Sequence, residues 1–297
     1  MDVMVPMMVD ILRDTQTGES EDDLRQIVEE FSQRYPGRFK YTLEKEQGLC
    51  PARNTGIRCA QGEIVVFTDD DVTVEPTWLQ NVALGFADPQ WAGIGGKIVP
   101  LWSCARPRWL SLDEPYASGP LVMFDRGPTA RELTEAPFGA NMAFRQSVFE
   151  KHGGFRTDLG NRPGSEIRND DSEFGARILA AGERLWYEPS AVVYHPVPEK
   201  RLQRNYFLAW WFDKGRGDIR QYGRPNTRYR AAGIPIYLFR NLAVWTVRWA
   251  LAMQPRRRFF NKLKVWKKLG EIRECYVQSK QASPPIEFPT LTARWFR

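Results

Sequence analysis

The segment Glu63 to Pro76, E-I-V-V-F-T-D-D-D-V-T-V-E-P, restricts what this chain can fold into more than any other. From Ile64 to Thr68 it is mostly β-branched or aromatic, the short apolar run that a strand buried on both faces carries. The run stops at Asp69, Asp70 and Asp71, so three carboxylates crowd the strand's C-terminal end. In open α/β sheets ligands bind at that end, and clustered carboxylates repel one another unless a cation or polar partner offsets their charge. A divalent metal is the simplest resolution. The competing reading is a helix start, because Asp accepts hydrogen bonds from free N–H groups and Pro76 suits a first helical turn.

Around this segment strands and helices alternate. Met1 to Leu12 reads as a strand that Pro6 demotes to an edge or irregular piece. Leu24, Ile27, Val28 and Phe31 recur at helical spacing and predict a helix over Asp22 to Tyr35. A strand at Phe39 to Leu43 and a short helix through Arg53, Asn54 and Ile57 precede the opening strand. Beyond it come a helix at Trp78 to Phe86, a strand at Ala92 to Val99, and a long irregular stretch to about residue 136, of the kind used as a functional loop or lid. A strand at Ala140 to Phe144, a helix to His152, a helix begun by Asp170, Asp171 and Glu173, and strands at Leu185 to Tyr187 and Ala191 to Tyr194 complete the pattern. The alternation predicts an α/β fold, a mainly parallel sheet with helices on both faces.

At 297 residues and 42% hydrophobic content the chain buries a sizeable core, which excludes a disordered protein. Its net charge of +6 is uneven, with carboxylates in the first two thirds and basic residues in the last, which points to an anionic surface or ligand at the C-terminal end. Cys50, Cys59, Cys104 and Cys275 lie far apart, with no C-x-x-C pair or nearby His to make a zinc site, so free thiols in a reducing compartment are expected. The N-terminus shows no basic and apolar signal, so cytoplasmic residence is the default.

Six segments in a fixed order carry a resemblance: G-L-C-P-A-R-N-T-G-I (48 to 57), V-F-T-D-D-D-V (66 to 72), F-G-A-N-M-A-F (138 to 144), G-G-F (153 to 155), N-D-D-S-E-F-G-A-R-I-L-A-A-G (169 to 182) and A-V-V-Y-H-P (191 to 196). Through them the chain resembles the family 2 glycosyltransferases of the GT-A, Rossmann-like fold. The resemblance implies metal-assisted, inverting transfer of a sugar from a nucleotide-diphosphate donor to a glycan or lipid-linked acceptor. In its D-x-D motif Asp69 would lie near the ribose or metal and Asp71 would coordinate Mg2+ or Mn2+, with Asp70 an accessory group. Asp171 would be the general base, preceded by Asp170 where the family usually has Glu. His195 would join the metal or diphosphate shell, or else stand as a structural histidine at a strand end. Arg53 and Asn54 would touch the donor phosphates, although Asn54 also fits a helix cap; Gly139, Ala140 and Asn141 would line the sugar pocket; Asp14 is a candidate for the base or ribose. Met1 to Val9 does not reproduce the P-x-Y-N-like turn with which the family opens, so the N-terminal strand-helix unit is expected to be missing or diverged. The rival readings are a nucleotidyltransferase, for which no Gly-rich basic phosphate loop is visible, and an inactive nucleotide- or sugar-binding module.

These features divide the chain into a catalytic domain, residues 1–200, and a basic, aromatic helical region, 201–297. Trp210, Trp211, Lys214, Arg216, Arg220 and Arg224 would frame an acceptor or a lipid diphosphate, or simply coat a helix. Ile234 to Met253 approaches membrane-spanning length, but Arg240, Asn241 and Arg248 share one helical face, at about 0°, 100° and 80°. An interfacial helix with Trp245 and Trp249 at the headgroup boundary is the expectation. Arg256, Arg257, Arg258, Lys262, Lys264, Lys267 and Lys268 follow, so an anionic membrane surface is the expected partner of residues 234–268, at the inner face of the cell membrane. The alternative is an ordinary appendage packed on the catalytic domain. The charge lacks any nucleic-acid-binding motif, and no nucleic acid partner is expected.

Overall fold

The computed structural model describes residues 3–4, 21–112, 116–163 and 166–281, with side chains from 25 onward. The chain divides into two compact units, Met1–Phe207 and Leu208–Arg297. The first runs β1 (Val3–Met4), α1 (Glu21–Arg34), α2 (Leu49–Cys59), β2 (Ile64–Thr68), β3 (Thr73–Val74), α3 (Trp78–Gly85), β4 (Trp91–Trp102), α4 (Ser118–Leu121), β5 (Arg131–Leu133), β6 (Asn141–Arg145), α5 (Gln146–His152), α6 (Asp170–Ala180) and β7 (Arg184–Val197), then a 3-10 turn at Glu199–Leu202. Helix α7 (Arg204–Tyr222) contains the division, and β8 (Arg230–Ala231), β9 (Ile234–Pro235), α8 (Ile236–Leu251) and α9 (Pro255–Lys280) follow.

The sheet has the order β1-β2-β6-β4-β7-β3, with β5 also paired to β7. It is mixed, which corrects the mainly parallel arrangement: only β1 with β2 and β4 with β7 run parallel, among the described strands. The reason is β6, which returns from the long excursion after β4 and inserts antiparallel between β2 and β4. Two further expectations change. Residues 39–44 join no ladder, and Leu43 is 46% exposed, so that segment lacks the burial a strand there would need. Leu185 to Tyr187 and Ala191 to Tyr194 belong to one strand, β7, whose pairing with β4 skips at Gly96/Lys97 and leaves Pro189, which has no N–H to donate, in the bulge.

Strand β2 is buried on both faces, as its composition predicts. Val65 and Phe67 enter one core with Cys50 and Ile57 of α2, Phe149 of α5, and Phe174 and Ile178 of α6. Ile64 and Val66 enter the other with Trp78 and Val82 of α3. Phe174 has no solvent exposure, stacks on Phe149 at 5.1 Å and meets Phe144 edge-on at 4.9 Å. Burial of such a ring is worth about 1.5–3 kcal/mol, and here it seats α6 so that its N-terminus is fixed against the sheet.

In the second unit Ile219, Ile234, Leu238 and Cys275 form a small core. A Cβ on Gly215 would overlap the Lys267 carbonyl, and one on Gly270 the Phe212 carbonyl, so glycine is what lets α7 and α9 approach. Ion pairs join the same helices, Arg216 and Arg220 to the buried Glu274 and Lys267 to Asp218, and Lys214 pairs with Asp218 within α7. Despite its burial, Asp218 is held well below the usual carboxylate range by those two lysines. Among the described residues no helix is long and apolar enough to cross a membrane.

Candidate active site

After Thr68 the chain turns at Asp69 to Asp71 and enters β3, and α3 begins only at Trp78 with Thr77 as its N-cap. The three aspartates therefore do not cap that helix. Pairing of β3 with β7, Thr73 opposite Tyr194, brings the turn beside His195. Ligand atoms of Asp69, Asp71 and His195 all lie within 4.8 Å of one another, with His195 Nε2 3.6 Å from Asp69 Oδ2 and 3.8 Å from Asp71 Oδ1. Asp70 is exposed in the same turn and is not one of the three. His195 is 2% exposed, and its Nδ1 lies 2.9 Å from the Pro196 carbonyl. With Nδ1 on that side, the Nε2 edge of the ring faces the two carboxylates. Burial alone would raise Asp69, but the adjacent His195 and the nearby Arg53 and Arg201 cations hold it below the ordinary range. Two carboxylates and one imidazole converging in this way are a donor set that fits a divalent cation such as Mn2+ or Mg2+.

The N-terminus of α6 separates two adjacent carboxylates. Asp171 is half-buried; its Oδ2 accepts the Gly139 N–H at 3.0 Å and its Oδ1 the Ser172 N–H at 2.6 Å. Asp170 is 6% exposed and turns inward to an ion pair with Arg53. Burial, only partly offset by Arg53, pushes Asp170 up to about 6. Arg53 is itself 5% exposed, with its guanidinium 5.4 Å from the Phe155 ring and 6.0 Å from that of Phe67.

The remaining predicted residues have other partners. The Asn54 amide donates to the Phe155 carbonyl and accepts the Phe155 N–H, each at 2.8 Å, so it clamps the turn after α5. Asn141 donates to the Lys97 and Ala191 carbonyls and accepts from Trp78 Nε1, bridging the β4–β7 bulge. Ala140 presents its carbonyl to Thr68 Oγ1 at 3.0 Å, tying β2's end to the Gly139 turn. Asp14 lies outside the described residues. Sequence reasoning missed Arg201, whose Nη1 is 3.4 Å from His195 Nδ1; the signal was a cation six residues beyond a histidine that ends a strand. It also missed the Gly139 N–H as the partner of Asp171, since a backbone donor leaves no mark in residue types.

The model of glycosyl transferase family 2 matches residues 18–153. Over those residues the chain is similar to the family 2 glycosyltransferases. The chain is 27% identical over 174 residues to the glucosyl-dolichyl phosphate glucuronosyltransferase of Haloferax volcanii, covering 57% of this chain and 54% of that protein. It is 24% identical over 193 residues to the succinoglycan biosynthesis protein ExoM of Rhizobium meliloti, covering 65% and 57%. The chain thus spans about half the length of the curated relatives it matches. Among solved structures, the mannosyltransferase PcManGT of Pyrobaculum calidifontis, in complex with GDP-Man and Mn2+, superposes with a TM-score of 0.54 at 18% identity, covering 88% of this chain and 76% of that one. That likeness shows the fold of the chain to be GT-A, a mixed α/β sheet followed by a helical C-terminal region.

Proposed function

We propose that the chain transfers a sugar from a nucleoside-diphosphate donor to a hydroxyl of a glycan or lipid-linked acceptor, with inversion. The observation that carries this reading is the division of labour among carboxylates: Asp69 and Asp71 converge on His195, whereas Asp171 stands open at a helix N-terminus. Asp69, Asp71 and His195 would hold a Mg2+ or Mn2+ ion, which would supply neutralisation of the charge on the leaving diphosphate. Asp171 accepts the acceptor's hydroxyl proton while the hydroxyl oxygen bonds to the anomeric carbon and the carbon–oxygen bond to phosphate breaks. Each Asp171 oxygen already takes one N–H, which fixes the carboxylate and leaves lone pairs for that proton. A single displacement inverts the anomeric centre. The GDP-Man and Mn2+ bound by the mannosyltransferase neighbour support the donor class. The test is a panel of nucleoside-diphosphate sugars with glycan and polyprenyl-phosphate acceptors, with Mn2+ and with chelator: transfer that chelator abolishes supports the reading, and transfer unaffected by chelator contradicts it.

The second unit is proposed to rest on an anionic bilayer, at the inner face of the cell membrane. Between Ile219 and Gly270 the sequence has 13 Arg and Lys residues and neither Asp nor Glu. Helix α8 exposes Ile236, Phe239, Val244, Val247 and Leu251, the last at 73%. At about 100° per residue these fall within about 140° of arc on one side, and the exposed Arg240 shares it. Exposed Arg256, Arg257 and Arg258 open α9 immediately afterwards, while Lys214, Arg216, Arg220, Lys267 and Lys268 are engaged in internal ion pairs. The lipid-facing charge is thereby narrower than the whole basic run. Flotation should recover the full chain with phosphatidylglycerol-containing vesicles and far less with phosphatidylcholine alone, and Leu251→Asp should release it. Equal recovery with both, or self-association in place of flotation, would contradict the assignment.

A further inference from the structure

Arg53 sits in the R-N dipeptide that the family resemblance points at the donor phosphates, yet its surroundings are those of a strut. We propose that Arg53 is a positioning residue: it holds Asp171 through Asp170 and Gly139 and does not bind the donor. This rests on the transferase reading, in which Asp171 is the base. The guanidinium is buried on α2 and its charge is met by Asp170, a neighbour equally enclosed, with side-chain exposures of 6% and 9%. The faces of Phe67 and Phe155 border it, so the fork of N–H donors is directed into protein. A Cβ added to Gly139 would overlap Arg53 Nη2, which shows how closely the guanidinium underlies that turn. Gly139 in turn donates its N–H to Asp171 Oδ2.

Arg53 therefore reaches Asp171 by two routes. One is covalent, through the adjacent residue Asp170; the other is the backbone of the Gly139 turn. Three segments distant in sequence, α2, the 138–140 turn and the start of α6, meet on this one side chain. Electrostatics agrees in direction: Asp170, Asp69 and Asp171 all stabilise the Arg53 cation, against its burial. An arginine paired in this way gives each carboxylate of the Asp170–Asp171 step a separate role, one anchored inward and the other left open to substrate.

The test compares the parent with Arg53→Met, Arg53→Lys and Asp170→Asn, the last two guarding against loss of folding in the first. Three quantities are read: kcat and donor KM, the affinity for UDP and GDP with Mn2+ by calorimetry, and hydrogen exchange at the Gly139 amide. The expected result for Arg53→Met is a fall in kcat of tenfold or more, nucleotide affinity within threefold of the parent, and Gly139 exchange accelerated at least tenfold. Arg53→Lys should recover part of the kcat and of the Gly139 protection, and Asp170→Asn should share the kcat loss with nucleotide affinity again within threefold of the parent. Nucleotide affinity weakened tenfold or more with Gly139 exchange unchanged would make Arg53 a donor ligand and overturn the proposal; so would a kcat loss with Gly139 exchange unchanged. If the parent turns over no donor the transferase reading fails, while the nucleotide affinities and Gly139 exchange still decide the role of Arg53.

Discussion

Asp170 and Asp171 share a helical turn, but the packing of α2 beneath one and a backbone N–H beside the other give them opposite environments. Sequence alone marked the pair and its order; it did not show that Asp170 would be buried, because its partner lies 117 residues away. A carboxyl that folding raises from the unfolded value of about 3.9 binds its proton more tightly when folded. For Asp170, raised to about 6, the associated stability is present below about pH 4 and lost as pH rises through 6. Thermal melts should therefore show the parent gaining stability relative to Asp170→Asn when pH drops from 7.5 to 5. An unchanged or reversed difference would mean that the Arg53 pair keeps Asp170 ionised throughout. At the other carboxylate cluster, His195→Ala and Asp71→Ala should each weaken Mn2+ binding at least tenfold by calorimetry, since either removes one of three convergent ligands. Affinity equal to the parent's would remove His195 from the metal shell.

At the level of elements, periodicity revealed what is local and missed what is set by partners. Helices α1, α2, α3, α5 and α6 fall where apolar spacing and turn residues put them, and β2 shows the two-faced burial that its composition demanded. The direction of β6 was not legible, because a strand's sequence says that it is buried but not which neighbour it pairs with. Asn54 and Asn141 likewise read as site residues by motif, and only tertiary contacts reveal their backbone bonds. Asn54→Ala should cost about 1–3 kcal/mol in urea unfolding, from the Phe155 N–H and carbonyl left unpaired. Gly270→Ala makes a sharper test of the α7–α9 approach. In an exposed helix that change gains up to about 1 kcal/mol, whereas here the overlap with Phe212 should lose about 1–3 kcal/mol. A stabilising Gly270→Ala would refute close packing of these helices.

Across the whole molecule, charge is the property that the sequence displayed most plainly and that the structure refined most. The basic C-terminal third was visible in the composition, but Asp213, Asp218, Glu271 and Glu274 neutralise much of it internally. What stays exposed is a narrower arginine cluster beside an apolar helical face. In the first unit the resemblance carried further, because its motifs lie at strand ends and helix starts, where the fold gathers distant residues at one edge of the sheet. The central claim is that Asp171 performs the proton transfer while the Asp69, Asp71 and His195 cluster serves the diphosphate. The most direct measurement is kcat for Asp171→Asn beside its affinity for the donor nucleotide in the presence of Mn2+. The account predicts a kcat loss of about 10²–10⁴ with affinity within threefold of the parent; a kcat near the parent's, or a loss explained wholly by weaker nucleotide binding, would contradict it.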